Sequence, residues 1–381
     1  MNIVAIAGST IPSDTANSIQ VMKACNALVQ LGHKFTLIVP GNRTSETPAP
    51  DVSAGAIDLK SHYGLQMDFP IEWLSSSSRR MFTWDSVRRA RALKADLVYT
   101  WLPQSAVFGL LRGLPVIFEI HIQPTGAFGP IWHRAFAAVR GRKRLISITR
   151  ALVELLERDF RLHFPSDEVV IAPNGVDLER FASLPDPVTA RRQLGLREAP
   201  TVMCTGHLYA GRGAELFIAL ARTIPDAHFV WVGGRPEDIE FWRRRVETNS
   251  IYNVTFVGFI PNGSLPLYQA AADILLMPYS QSIMGSSGTA DSARVASPMK
   301  MFEYMATGRA IASSYLPVIR EVLNETNAVF CKPDDINSWK NALQRLLEDE
   351  NLRDQLGRQA RHDVQGYTWV ARAQRIMNRF P

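Results

Sequence analysis

The chain reads as an α/β protein made of two successive doubly wound units, each a parallel sheet with helices on both faces. Three observations predict this. Short apolar runs alternate with stretches of helical period along the whole length, which is the pattern of parallel strands joined by helical crossovers. The 381 residues are too many for one ordinary core and suit two domains. The alternation also halts once, over a Pro-containing stretch from Ser183 to Pro200, and then restarts. The expected domains are therefore 1–182 and 183–366, with ligands at the carboxyl ends of the strands and the active site in the cleft between the two units.

Asn2 to Ala7 is a short apolar strand, and it breaks too early and lacks the basic leader of a signal peptide. In the helix that follows, Val21, Met22, Cys25, Leu28 and Val29 recur at helical spacing until Gly32. Phe35–Val39, Leu97–Tyr99, Val116–Ile120 and Arg144–Ile148 continue the strand series, and Val169 opens one that runs into Pro173-Asn174-Gly175. In the second half come Thr201–Thr205, a helix around Glu215–Arg222, Phe229–Val232 and Val254–Val257. A helix through Tyr268–Ala272, the strand Ile274–Met277 and a strongly helical segment from Asp335 complete the order.

Composition excludes several classes. The apolar and charged fractions are those of a globular protein, and no segment approaches the roughly 18 apolar residues that span a bilayer. Cys25, Cys204 and Cys331 have no metal-ligand or redox spacing and read as small buried residues in a reducing cytosol. No Gly-rich dinucleotide fingerprint is present, which argues against a nicotinamide enzyme. The net charge of +6 is modest, but its cations cluster beside aromatics. Arg79, Arg80, Arg88, Arg89, Arg91 and Lys94 interleave with Met81, Phe82 and Trp84, and Arg134, Arg140, Arg142, Lys143 and Arg144 lie near Trp132, His133 and Phe136. Such clusters are either solvated helix faces or a surface for anionic membrane, with nucleic acid the weakest partner of the three.

The most informative stretch is Ser297-Pro298-Met299-Lys300-Met301-Phe302-Glu303-Tyr304-Met305-Ala306-Thr307-Gly308. Ser297 reads as a helix N-cap, Pro298 as the first helical residue and Gly308 as the closing residue. A helix N-terminus suits a phosphate. Lys300 and Glu303, three apart, project from one face. A cation near phosphates and a carboxylate near paired hydroxyls are what a nucleoside diphosphate requires, although many surface helices carry Lys and Glu at this spacing.

This stretch resembles the nucleotide-binding signature of the retaining glycosyltransferases of family 4, which have the GT-B fold: two Rossmann-like doubly wound domains with an interdomain cleft. The resemblance extends to Ile171-Ala172-Pro173-Asn174-Gly175-Val176-Asp177-Leu178-Glu179-Arg180-Phe181 and to Thr205-Gly206-His207-Leu208-Tyr209-Ala210-Gly211-Arg212-Gly213. It also takes in Phe256-Val257-Gly258-Phe259-Ile260 and the ending Tyr367-Thr368-Trp369, so that it covers about the C-terminal two-thirds of the chain. It implies that Glu303 holds the donor ribose, that Arg212 and Lys300 meet the diphosphate, and that Ser297, Pro298, Met299 and Gly206 line the nucleotide. Backbone groups at Phe259 and Ile260 would meet the base, whose identity cannot be read from them. Phe118-Glu119-Ile120-His121 is similar to the family's strand ending in a His that faces the donor sugar, while a lone His at a strand end can equally be structural. Gly8, Ser9 and Asn17 stand where acceptor and phosphate approach, with Asn17 alternatively an N-cap. The helix 367–381 is expected to return to the first domain.

One departure is plain. The first Glu of the family's Glu–(seven residues)–Glu motif falls at Val295. Backbone N–H groups of the loop 280–296, with Ser297 and Asp291, are expected to contact the sugar in its place. The implied activity is retaining, metal-independent transfer of a sugar from a UDP- or GDP-sugar to an acceptor hydroxyl, with no resident cofactor. The acceptor implied is a carbohydrate or lipid-linked precursor of the cell envelope, met in the cytoplasm or at the inner face of the membrane. A GT-B epimerase, or a sugar-nucleotide-binding scaffold left inactive by the loss of that Glu, are the alternatives.

Overall fold

The computed structural model describes residues 1–41, 58–282 and 293–380. The chain forms two units, Met1–Asn174 with Trp369–Pro381, and Gly175–Thr368. In the first, β1 (Asn2–Ile6), β2 (Lys34–Pro40), β3 (Ile71–Leu74), β4 (Leu97–Thr100), β5 (Val116–Ile120), β6 (Lys143–Ser147) and β7 (Val169–Ile171) form one sheet in the order β3-β2-β1-β4-β5-β6-β7. All its pairings are parallel, with Ile3 opposite both Phe35 and Leu97. Covered on both faces, β1 and β5 are apolar nearly throughout and Ile3 to Ala7 are fully buried, which is why no in–out alternation marks them in the sequence.

The second unit repeats the plan with β8 (Thr201–Thr205), β9 (His228–Val232), β10 (Val254–Gly258), β11 (Ile274–Met277), β12 (Ala310–Ser314) and β13 (Val329–Cys331), ordered β10-β9-β8-β11-β12-β13 and parallel. Its core gathers Phe217, Phe229 and Trp231, with the Trp231 indole N–H donating to the Gly206 carbonyl at 2.8 Å. All three cysteines are buried and free.

Several local expectations are corrected. β3, β12 and β13 were not anticipated. β12 is Ala-Ile-Ala-Ser-Ser, poor in strand-forming residues, and lies fully buried because its serines bond to backbone, Ser314 Oγ donating to the Tyr279 carbonyl at 2.6 Å. The helix expected at Tyr268–Ala272 runs Leu265–Ala270, started by Pro266 in its first turn. Residues 175–182 group with the second unit because the 3-10 turn Leu178–Phe181 buries Phe181, whose carbonyl accepts from Arg361 at 2.9 Å. The Pro-containing stretch belongs there too. Its helix Pro187–Leu194 buries Arg191, which donates to Asp273 at 2.9 Å and to the Ala271 carbonyl at 3.0 Å. Val176 bridges to Thr368, so the chain enters and leaves this unit at neighbouring points.

The helix Trp369–Met377 packs in the first unit beside the helix Ala16–Gln30. Two arginines fasten it. Arg144 donates to the Ile376 and Asn378 carbonyls at 2.6 and 2.9 Å, meeting the unsatisfied end of the helix. Arg372, 3% exposed, donates through Nη2 to Glu119 Oε1 at 2.7 Å and through Nε to the Pro173 carbonyl at 2.9 Å. Arg372→Met removes one partner of a buried ion pair and leaves the other charge stranded. We expect a loss of about 3–5 kcal/mol of stability, read as an earlier urea transition of the first unit.

Candidate functional site

In both units the strand order reverses beside the first strand, at β1/β4 and at β8/β11, and ligands of such sheets bind where the two crossovers part. In the second unit β8 ends at Gly206 (φ +122°), whose N–H donates to the Val232 carbonyl at 2.8 Å. The next helix, Ala214–Thr223, begins after Gly213 (φ +86°), where a Cβ would stand 2.0 Å from the Pro278 carbonyl oxygen. Only glycine permits that approach, and it brings the loop carrying Arg212 against the end of β11.

Tyr279, just past β11, is where two cations converge. Arg212 Nη1 donates to the Tyr279 hydroxyl at 3.2 Å, and its guanidinium carbon lies 5.2 Å from the ring centre. Lys300 Nζ lies 5.0 Å from the same centre and 3.7 Å from Cys204 Sγ, beside Gly206. Among the described residues no carboxylate pairs with either cation. Two half-buried positive charges held together without a counterion raise the local potential and favour an anion such as a diphosphate.

Lys300 stands in the first turn of the helix Met299–Thr307. The cap differs from the expectation. Pro298, with ψ at 125°, is the N-cap, Met299 is the first helical residue, and the buried Ser297 lies one position earlier. A proline whose ψ leaves the helical region serves as the flanking residue, so the boundary moves by one. Gly308 closes the helix in the left-handed conformation (φ +68°), as expected.

One turn on from Lys300, Glu303 is 9% exposed and faces two amides rather than a cation. Gln269 Nε2 donates to Oε2 at 3.1 Å and Asn262 Nδ2 to Oε1 at 3.4 Å. Both contacts are near the long end for a charge-assisted bond, so the carboxylate retains capacity for a further donor. Asn262 follows Phe259 (46% exposed) and the half-buried Ile260, and its carbonyl accepts from Arg180. That contact ties the turn at 178–181 to the loop after β10, a physical reason for these two motifs to occur together. Tyr279, Asn262 and Gln269 were not foreseen, since an aromatic or amide in a loop, or a single amide on a short helix, carries no spacing signal. Val295 is fully buried, so the first motif position faces core. Asp291 lies outside the described residues. Among those residues no three His, Cys, Asp or Glu side chains gather as a metal site.

In the first unit, Gly8 and the buried Ser9 follow β1, with a Gly8 Cβ 3.2 Å from Leu102 past β4. Asn17 is exposed and donates to Ser9 Oγ at 3.0 Å; the N-cap of its helix is Thr15, which accepts from the Ser18 N–H, so the capping alternative falls. His121 follows β5, and its Nε2 lies 2.5 Å from Glu119 Oε1. Glu119, which the sequence did not single out, is 1% exposed. Gln20 Nε2 donates to Oε1 at 2.6 Å and Arg372 at 2.7 Å, while the Tyr99 hydroxyl donates to Oε2. Burial raises the pKa of this carboxyl, but Arg372, His121 and Tyr99 outweigh it and hold the group well below the usual carboxylate range.

The basic clusters divide. Lys143 closes the C-terminal end of the helix Gly129–Ala138, donating to the Ala137 and Val139 carbonyls at 2.6 and 2.9 Å, and Arg144 holds the last helix, so neither is a free surface charge. Arg80, Arg88 and Arg134 are exposed, with Met81, Trp84, Phe128 and Ile131 among them. Trp84, Phe108 and Trp132 stack edge-to-face across three neighbouring helices at 5.2 and 5.5 Å. Among the described residues no helix is long and apolar enough to cross a membrane.

Residues 18–180 match a family profile described as Glycosyltransferase Family 4, and residues 199–349 match Glycosyl transferases group 1. The chain belongs to glycosyltransferase family 4. This family 4 chain is 24% identical over 375 residues to the phosphatidyl-myo-inositol mannosyltransferase of Mycolicibacterium smegmatis, covering 94% of this chain and 87% of that protein. A GDP-mannose-dependent alpha-(1-6)-phosphatidylinositol monomannoside mannosyltransferase of the same organism is 34% identical over 119 residues, 30% of this chain. The sulfoquinovosyl transferase of Arabidopsis thaliana is 22% identical over 308 residues, 75% of this chain. These last two matches span only 31% and 56% of the relatives' own lengths. The fold matches the GT-B crystal structures of Anabaena HepE in complex with UDP (TM-score 0.73, 16% identity, 99% and 98% of the two chains) and of WaaG (TM-score 0.65, 15% identity, 98% and 100%).

Proposed function

We propose that this protein transfers a sugar, with retention of anomeric configuration, from a UDP- or GDP-sugar to an acceptor hydroxyl. The observation that carries the reading is the convergence of Arg212 and Lys300 on Tyr279 with, among the described residues, no carboxylate paired to either, one helical turn from a Glu303 carboxylate that accepts from two amides. Two free cations suit the two phosphates of a leaving diphosphate, and Glu303 suits the ribose hydroxyls. Structures of the fold relative HepE with UDP and with UDP-glucose, and a relative named for GDP-mannose, support the donor class.

In this mechanism the bond from the anomeric carbon to the diphosphate oxygen breaks first. Arg212, Lys300 and the start of the helix at Met299 stabilise the departing charge. The acceptor oxygen then attacks on the same face, and its proton passes to a diphosphate oxygen. Every charge the leaving group develops meets a protein cation, so the reading needs no resident metal or cofactor. His121 would face the sugar, Gly206, Ser297, Pro298 and Met299 line the nucleotide, Phe259 and Ile260 meet the base, and Gly8, Ser9 and Asn17 the acceptor side. Asp291 keeps a proposed contact with the sugar.

With Val295 buried, a second reading is binding of a sugar nucleotide without transfer. A metal-free thermal-shift and calorimetric series with UDP, GDP, ADP, TDP and CMP separates the outcomes. We expect one diphosphate to stabilise the protein, and Glu303→Ala to bind it roughly ten- to a hundredfold more weakly, the scale of hydrogen bonds to a charged group. We expect Arg212→Ala and Lys300→Ala to lower kcat about 10²–10³-fold with native circular dichroism. Binding without turnover of any donor favours the second reading, and no binding at all removes both.

The acceptor we propose is a glycolipid or polysaccharide precursor at the cytoplasmic face of a membrane. Its support is the exposed set Met81, Trp84, Phe128 and Ile131, which lie on or beside the same two helices as the exposed Arg80, Arg88 and Arg134, the mixture of apolar and cationic side chains that an anionic lipid surface requires. We expect the protein to float with vesicles containing an anionic phospholipid and to stay behind with uncharged ones. Arg88→Glu with Arg134→Glu is expected to abolish flotation, and unchanged flotation in that pair rejects the surface.

A further inference from the structure

Glu119 is surrounded by groups that donate to it: the Gln20 amide, the Tyr99 hydroxyl, the Arg372 guanidinium and His121 Nε2. An ionised carboxylate has no proton to give. Arg372 cannot surrender its charge, and it shares Oε1 with His121, so the carboxylate stays ionised and the 2.5 Å contact requires the proton to sit on His121 Nε2. The other ring nitrogen, Nδ1, has no partner among the described residues, and the side chain is 23% exposed. In the neutral ring, Nδ1 is then an acceptor.

We propose that Glu119, braced by Arg372, is a positioning residue that fixes His121 as the Nε2–H tautomer and so presents Nδ1 as an acceptor to a hydroxyl of the bound ligand. The brace comes from the end of the chain. Arg372 also donates to the Ala172 and Pro173 carbonyls at 3.2 and 2.9 Å, which fixes the guanidinium independently of Glu119. The last helix therefore sets the chemistry of a strand end 253 residues away in sequence. Gln20, from the first helix, and Tyr99, from β4, close the remaining sides of the carboxylate, which leaves it little freedom to follow the imidazole if the ring turns. The consequence for sugar transfer rests on the function proposed above; the tautomer does not.

The test is a long-range ¹H–¹⁵N correlation spectrum of histidine-labelled protein at about pH 8, above the ordinary histidine range. His121 is assigned by the signals lost in His121→Gln. We expect one tautomer, with hydrogen on Nε2 and a bare Nδ1; a proton on Nδ1, or a signal averaged between tautomers, overturns the proposal. In Glu119→Gln the amide can both donate and accept, so the lock is released and the averaged signal is expected to appear. A folded Glu119→Gln protein that keeps the wild-type signal removes Glu119 from the role. If that variant does not fold by near-ultraviolet circular dichroism, Glu119→Asp, which keeps the charge and withdraws it by one methylene, is read in the same way.

This readout needs no donor, so a failed transferase assay leaves it standing and a failed spectrum leaves the transferase reading standing. With donor and acceptor in hand, Glu119→Gln is expected to lower kcat roughly ten- to a hundredfold with donor KM little changed, the scale seen when a partner orienting a metal-bound histidine is lost. An unchanged kcat overturns the functional half of the proposal.

Discussion

Parallel pairing is the constraint on which the rest depends. The strands within each sheet run in one direction, so every connection must cross over, most of them through a helix, and the carboxyl ends of each sheet's strands collect along one edge of that sheet. Gly8 after β1, His121 after β5, Gly206 after β8, Phe259 after β10 and Tyr279 after β11 stand at such ends because the pairing leaves them nowhere else. The candidate site residues are therefore borne by loops whose positions are set by buried strands. Gly213 shows how tight that setting is: a single methyl group there would collide with Pro278, and Arg212 is its neighbour.

The two units use charge in opposite ways. In the second, Arg212 and Lys300 converge on the face and hydroxyl of Tyr279 with no carboxylate paired to either among the described residues, an arrangement that is costly until an anion arrives. In the first, Glu119 is satisfied on all sides, and desolvation is offset by a guanidinium and three neutral or weakly charged donors. A frustrated site is suited to binding, and a saturated one to holding a neighbour still. Glu303 lies between these extremes, buried against two amides at 3.4 and 3.1 Å, which leaves its carboxylate capacity for a further donor.

Much of this was legible in the residues. Val116-Ile-Phe-Glu-Ile and Ile274-Leu-Leu-Met announce strands because β-branched and large apolar side chains fill a sheet covered on both faces. Lys300 and Glu303 share a helix face because three residues make most of a turn. β12 escaped because Ala-Ile-Ala-Ser-Ser is a strand only by virtue of its neighbours, and Ser297 was placed one position too far inside the cap because dihedral angles decide between a flanking and a first helical proline. Lys143 and Arg144 read as surface charge, since nothing local distinguishes a cation in solvent from one closing a helix end. Arg372 was silent for the same reason, its partner lying in another segment of the chain. Long-range pairing of polar groups is invisible to periodicity, and here it holds the last helix in place.

The most direct measurement is a crystal structure of the protein with its preferred nucleoside diphosphate. The account requires the phosphates within hydrogen-bond distance of Lys300 Nζ and the Arg212 guanidinium, and the ribose hydroxyls on Glu303. A nucleotide bound elsewhere, or one that leaves Arg212 and Lys300 untouched, would contradict it.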